Sequence, residues 1–512
     1  MRIGVLVATP AVPAWQAACV RALQALDGID VELAFVDGAQ PFAGGLAGRL
    51  GGPAFGRVVA GSLARARPSA RDGYDVVLDL TGRATSASAK HGVWAFRIGE
   101  DGEEREPFVR EIGRGDSTVD VELVRRIDGR EELIRRGRFS VATLYASTVR
   151  WALFEAARWP ASFVTALRDR GGIETTPLAS SRARRPLALV DRVRFAMRLP
   201  ALFVGYVVEQ LFETTEWNVG LIGALPRRLL EPGPLDIRWL PQPARGTFIA
   251  DPFIVERNDR RVVFVEEYSY ERSRGVIEAL ELNARDEVIR RETVIDLPNH
   301  LSYPYPLEID GSLYLIPESS SVNEVGSFRC VEFPWRWERA TALFPSFDGI
   351  DTTVFDHDGR WWAMCTRVTR GSTLALYAYH ADSPRGPWHE HPLNPIVVDV
   401  TCARPAGQPF SIDGVLYRPG QSSADSYGCG LAIVRIDELT PYSYRETVVR
   451  RLDLSGHGRW GDGSHTLSFA NGTIAIDGKR VYHDVRKLGW VVSRATRRIR
   501  RLAATRAKPS PA

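Results

Sequence analysis

The chain has 512 residues, 44% of them hydrophobic and 25% charged, with a formal net charge of +4. That length exceeds one ordinary core, so two domains and a connector are expected. The near-neutral balance and the lack of a large basic block in the body exclude nucleic acid as the expected partner, and no uninterrupted apolar run reaches the ~18 residues of a spanning helix.

The five cysteines, Cys19, Cys330, Cys365, Cys402 and Cys429, form no CxxC and are odd in number. That is the pattern of reduced thiols in a reducing compartment. The opening MRIGVLVATP is interrupted too soon for a secretory leader. A cytoplasmic protein is expected, with room for peripheral contact at the inner face of the membrane.

Taken in order, RIGVLV at 2–7 reads as a buried parallel strand. A helix follows over 16–26, then strands at 31–35 and 74–80. Strands alternating with helices predict a doubly wound α/β domain over 1–150. No GxGxxG follows the first strand, so no dinucleotide is expected, and no other cofactor is indicated. Three stretches, RIGVLVATPAVPAW, YDVVLDLTGRATSASAKHGVWAFRIGED and STVDVELVRRIDGREELIRRGRF, together resemble the N-terminal domain of formyltransferases of the methionyl-tRNA type. The resemblance implies an Asn-x-His pair after the GVW residues and a later Asp. Here the segment reads Ala95-Phe96-Arg97-Ile98-Gly99, and Asp128-Gly129 stands alone as the later match. Without a base or a carbonyl polariser the domain is expected to be catalytically degenerate. His91 reads as a turn residue.

Residues 151–235 read as a helical connector. It holds an exposed polar stretch at 180–185 and two apolar helical stretches within 187–230. One of these, 199–208, reads as a packing helix or as an in-plane membrane contact.

The next region repeats one plan. IADPFIVERNDRRVVFVEEYS is followed by SYPYPLEIDGSLYLIPESS, DTTVFDHDGRWWAMCT, RPAGQPFSIDGVLYRPGQSS and the weaker HTLSFANGTIAIDG. Each holds two apolar runs about a polar turn: Asp259, then Asp310-Gly311, Asp358-Gly359, Asp413-Gly414 and Asn471-Gly472, at roughly 50-residue intervals. Five hairpin modules predict an all-β, five-bladed propeller over 236–484. Residues 485–512 form a basic tail. Over 488–502, Trp490, Val491, Ile499 and Leu502 are interleaved with arginines, which reads as a basic helix lying on anionic lipid or as a solvated C-terminal helix. Residues 503–512 are expected to be disordered.

In a propeller the first strand of each blade borders the axis. The matching positions there are Asp251, Tyr303, Asp351, Arg404 and His465, far more polar than strand packing requires. Counting onward from each turn, the second strands deliver Glu267, Glu318, Thr366 and Gln421, where valines and aromatics would otherwise stand.

ADPF, LSYPYPLEIDGSLYLIPES, DTTVFDHDGRWWA and ARPAGQPFSIDGVLYRPGQSSADSYG resemble the five-bladed furanosidase superfamily of arabinanases, levansucrases and invertases, including glycosyl hydrolase family 43. They are similar more closely to the domain N-terminal in glucosamine inositolphosphorylceramide transferases. The resemblance implies a first-blade Asp as nucleophile or base, a supporting second-blade Asp, and a third-blade Glu as acid. Asp251 matches the first, Tyr303-Pro304 occupies the second, and Asp351 stands at the third, one methylene short. Two carboxylates about a sugar suffice for glycoside chemistry. Asp251 is expected as base or nucleophile and Asp351 as acid or orienter, with Glu267 and Glu318 as substitutes. Arg404 would hold a phosphate or carboxylate. Tyr303, Trp361 and Trp362 would face the sugar ring, or Trp361-Trp362 would pack between blades; His465 would contact substrate or be satisfied in the core, and Gln421 would contact substrate. No HxxxH or carboxylate spacing points to a metal. The expected function is glycosyl transfer, or glycoside cleavage, in surface glycan or glycolipid assembly. The alternatives are a non-catalytic glycan-binding propeller and a formyltransferase acting on an amino sugar.

Overall fold

A computed structural model describes residues 1–8, 11–36, 50, 52–59, 63, 65–67, 73–82, 86–100, 106–178, 186–244, 246–368, 374–485 and 487. At the front, Arg2–Val7 lies between Asp30–Phe35 and Val76–Asp79, all parallel, and Val93–Ile98 continues the parallel run. Thr118–Ile127 and Arg130–Ser140 extend the sheet antiparallel. Apolar runs bury Arg2–Val7 and Val76–Asp79 on both faces. The helices Ala14–Gln24, Tyr145–Ala156 and Trp159–Arg170 pack together, and Trp15, Leu153 and Val164 share one core with Val5 and Leu33. Among the described residues these helices pack against one face of the sheet, where a doubly wound arrangement was expected. On the other face Leu6, Ala34, Val77 and Val93 cluster with Tyr74, and Val36, Ala87 and Ala89 pack against them.

The connector contains one 24-residue helix, Leu189–Phe212, of which only Phe195 is fully buried. Where a second helix was expected, ETTEWNVGLI forms the strand Glu213–Ile222, paired along its whole length with Thr473–His483. Its β-branched and aromatic residues favour that pleated, half-buried position. The connector therefore ends at Phe212, not at 235. The polar stretch 180–185 and the basic stretch 488–502 lie outside the described residues.

The remainder is propeller-like and all-β. Four free-standing antiparallel sheets are built from Thr247–Ile295, Ser302–Arg339, Arg404–Leu452, and the terminal pairing of Glu213–Trp239 with Leu467–His483. The hairpin unit Gly349–Ala381 does not stand free. Its strand Ala375–Ala381 pairs with Val397–Asp399, which runs parallel to Arg130–Ser140 and so joins the front sheet. Five separate sheets were expected and four are found, because this unit completes the open edge of the front domain. The first strands of successive units pack on one another in turn, and a bridge between Gly407 and Leu467 links the last two.

Every hairpin closes through two residues with positive φ, the geometry of a type I′ turn. These are Asn258 and Asp259 (52° and 58°), Asp310-Gly311, Asp358-Gly359, Asp413-Gly414 and Asn471-Gly472. The first turn thus begins at Asn258, one residue earlier than the sequence alignment placed it.

Candidate functional site

The first-strand positions converge as one buried polar hub. Asp251, Tyr303 and Asp351 each sit at a β-bulge with φ of 52°, 46° and 51°. Side chains other than Gly rarely occupy that region, so three repeats of it mark positions held by surrounding contacts. The contacts are explicit. Asp251 Oδ1 accepts from Thr466 Oγ1 at 2.5 Å, and its Oδ2 accepts from Tyr303 N at 3.1 Å. The Tyr303 hydroxyl shares a proton with Thr353 Oγ1 at 2.8 Å and accepts from Gly407 N at 2.7 Å. Arg404 Nε donates to Asp351 Oδ2 at 2.5 Å. His465 lies with Nδ1 2.6 Å from Asp477 and Nε2 3.4 Å from Asp251. Each repeat unit contributes to this network.

Its electrostatics are dominated by crowded carboxylates. Burial pushes Asp351 up to about 6; Arg404 opposes the shift, while Asp251 and Glu318 add to it. Burial opposes the charged form of His465, but Asp477 and Asp251 outweigh it and hold its pKa above the usual value. Glu266 is perturbed in the same direction as Asp351. Burial, then Asp251, Glu318, Asp351 and Asp477, hold its carboxyl well above the ordinary range. Its carboxyl makes no hydrogen bond among the described residues, and the ring of His300 lies with Nε2 3.7 Å away. A carboxylic acid kept neutral in this way is suited to donate a proton.

Glu266 replaces Glu267 in the expected site. With the first turn at Asn258, the count that gives Glu318, Thr366 and Gln421 gives Glu266, and Glu266 pairs across from Ala250 as Glu318 does from Ser302. Glu267 is bound instead by Arg272 at 3.0 Å and neighbours Glu278. A one-residue slip in a strand turns the side chain to the other face. Glu318 stays in the cluster, its Oε1 accepting from Ser320 N at 2.7 Å. Gln421 is buried beside Arg404's strand and donates to Ser423 Oγ at 3.0 Å.

Two aromatic expectations are corrected. Tyr303 is 1% exposed and spends its hydroxyl on the hub, so it is no sugar platform. Trp362 is also 1% exposed, and with Trp361 it lies at the turn end of its hairpin, away from the bulge at Asp351. In the front domain, Arg97 is paired with Glu122 and Glu131. Asp128-Gly129 form a surface turn with φ of 49° and 73°.

The aromatic surface lies elsewhere. A cavity of about 380 Å³ is lined by Trp217, Phe248, Tyr268, Tyr270, Tyr427 and Lys479, and by Glu209 and Glu213 at the end of the long helix. Trp217 and Tyr427 join it to the hub: their rings lie 4.1 and 5.5 Å from the His465 ring, and Arg404 sits 5.2 Å over Tyr427. Asp251 and Asp351, 5% and 4% exposed, do not line this cavity. None of its aromatics was predicted as a site residue. Trp217 precedes the recognisable repeats, and Phe248, Tyr268 and Tyr270 look like ordinary strand residues until the sheets are assembled.

Asp251, His465 and Asp477 also bring one ligand atom each within 4.8 Å of one another, a grouping that sequence spacing hid. Their oxygens already accept hydrogen bonds from Thr466, Tyr303, His465 N and Ser464.

The architecture is a propeller-like β region with a polar hub and an aromatic cavity. Residues 241–467 match the family described as glucosamine inositolphosphorylceramide transferase 1, N-terminal. The chain is 31% identical over 212 residues to glucosamine inositolphosphorylceramide transferase 1 of Oryza sativa subsp. japonica, covering 40% of this chain and 28% of that protein. It is 30% identical over 214 residues to the Arabidopsis thaliana protein of that name, covering 40% and 27%. The chain therefore spans under a third of the length of these curated relatives. Among solved structures, the family 117 glycoside hydrolase Zg3597 of Zobellia galactanivorans overlaps 54% of this chain and 92% of its own, at 11% identity and a TM-score of 0.35. Overlap that loose bears on neither fold nor activity.

Proposed function

We propose that this is a carbohydrate-active protein of glycolipid assembly that transfers a glycosyl group to a lipid-linked acceptor held in the aromatic cavity. The observation that carries the reading is the shared wall: Trp217 and Tyr427 line the cavity and contact the residues that hold the acidic hub. Aromatic faces suit the apolar faces of a sugar ring, and a raised-pKa acid beside carboxylates suits acetal chemistry. In the reaction, an acceptor hydroxyl oxygen forms a bond to the anomeric carbon and the bond from that carbon to the leaving group breaks. Glu266 gives its proton to the leaving oxygen. Neither Glu266 nor the Asp251–Asp351 pair lines the cavity, so in this reading the acceptor hydroxyl must reach them past Trp217 and Tyr427; a carboxylate of that pair then takes its proton. Arg404, beside Asp351, holds negative charge on the substrate.

The names of the relatives support an inositolphosphorylceramide-type acceptor and a hexosamine donor. The proposal counts Gly349–Ala381 as a blade, making five. It places the protein in the cytoplasm at the inner membrane face, with contact through 199–208 and the tail 488–502. It treats the front domain as a catalytically silent relative of the formyltransferase fold that braces the propeller through Val397–Asp399.

The test is hexosamine transfer to inositolphosphorylceramide by the full chain and by Glu266→Gln and Asp351→Asn. Loss of transfer in both variants, with acceptor binding retained, supports the reading. The second reading, a glycan-binding propeller without turnover, is favoured by the low exposure of Asp251 and Asp351. Binding by the unmodified chain with no transfer from any hexosamine donor would establish it instead.

A further inference from the structure

The long helix Leu189–Phe212 is long and apolar enough to cross a bilayer, and its most apolar stretch is 6% buried. Met197, Phe203, Val204, Tyr206 and Val208 are all exposed. Exposed apolar surface of that extent calls for a partner. Both ends of the helix, however, are tied to one folded body. Near its start, Arg192 pairs with Glu106 at 2.6 Å and Phe195 packs edge-on to Tyr145 at 5.0 Å, both in the front domain. At its end, Phe212 O accepts from Asp484 N at 2.8 Å, and Lys487 Nζ donates to Glu209 O at 2.8 Å. The front domain and the propeller share a sheet and a core. A helix with both ends on one body on one side of a membrane cannot span it.

We infer that Leu189–Phe212 is an in-plane membrane helix, seated in the interfacial layer of an anionic lipid surface, that places the mouth of the aromatic cavity at that layer. The occupant is lipid rather than another protein for two reasons. Phe203, Val204, Tyr206 and Val208 present bulky apolar side chains to solvent on a helix with little of its surface packed, the composition of an interfacial segment. Arg194 and Arg198 have no carboxylate partner within ion-pair distance among the described residues, so they are available to anionic headgroups. The helix ends inside the cavity wall, where Glu209 and Glu213 stand with Trp217, Phe248 and Tyr270. A lipid-linked sugar then enters from the headgroup layer while its chains stay in the bilayer. This entry route rests on the proposed glycolipid function; the membrane seating does not.

The test is co-sedimentation of the full chain with vesicles of phosphatidylcholine and phosphatidylglycerol in equal parts. The unmodified protein should pellet with the vesicles. Phe203→Glu with Val204→Glu should cut the bound fraction about tenfold or more, with unchanged circular dichroism and melting point. Equal binding by that variant overturns the proposal, as does failure of the unmodified chain to bind. A fall in oligomeric mass in the variant without vesicles assigns the face to a second copy and also overturns it. Tags inserted at Gly172 and at the C-terminus should be digested from the same side of sealed membranes; digestion from opposite sides overturns the in-plane placement. Hexosamine transfer to a water-soluble acceptor should survive in the double variant, and its absence even in the unmodified chain would count against the glycolipid function alone.

Discussion

Glu266 separates a chemical role from a structural one. If its carboxyl is neutral in the folded protein, Glu266→Gln exchanges one neutral group for another of the same shape. The melting point should then hold or rise while transfer falls by about 10²–10⁴. A large drop in melting point would mean that the ionised form supports the hub. Asp351 and His465 give the pH dependence. Both carry folded pKa values raised above the unfolded ones, Asp351 to about 6. A raised pKa means that the folded state holds its proton more tightly. The stabilisation is complete below the unfolded pKa and is lost as pH rises through the folded value. Melting points measured across pH should therefore fall as pH rises through about 6, and Asp351→Asn should flatten that slope. Legibility at this scale depended on register. Asp251, Asp351, Arg404 and His465 could be found because each repeat offers an aligned landmark. Glu266 was missed by one place because Asn258-Asp259 lacks the glycine that marks the other turns. Asp477 was missed because it lies on the second strand of the weakest repeat, mid-strand and fully buried, outside the aligned positions.

At the scale of the element, the glycines divide into two kinds. A Cβ on Gly359, at φ of 71°, would meet nothing within 4 Å, so Gly359→Ala costs only the left-handed conformation, about 1 kcal/mol. A Cβ on Gly407 would lie 1.7 Å from Leu467 O, where two units meet backbone to backbone. Gly407→Ala should lower the urea midpoint several times more than Gly359→Ala; equal effects would show that this closure is soft. The helix Leu189–Phe212 was half legible. Its apolar run was plain, but Arg198 and Glu209 interrupt it, and no sequence rule shows that both ends return to one body.

For the whole molecule, the sheet shared between Arg130–Ser140 and Val397–Asp399, and a core that runs from Trp15 to Tyr303, make the α/β domain and the propeller one cooperative unit. Thermal unfolding followed by far-ultraviolet dichroism and by tryptophan fluorescence should give coincident single transitions. Two resolved transitions would show that the junction is weak. The propeller-like region was readable from the repeated turns alone. The merger of Gly349–Ala381 with the front sheet was not, because it depends on a three-residue strand with no pattern of its own.

The pairing of Glu213–Ile222 with Thr473–His483 has a consequence for biosynthesis. The partner of Glu213–Ile222 is made about 250 residues later. Until then the growing polypeptide must keep a ten-residue unpaired edge of ETTEWNVGLI from capturing a neighbour. Truncated products ending before His483 should therefore be the aggregating species in cells, and nascent-chain chaperones should stay engaged until Thr473–His483 has been made.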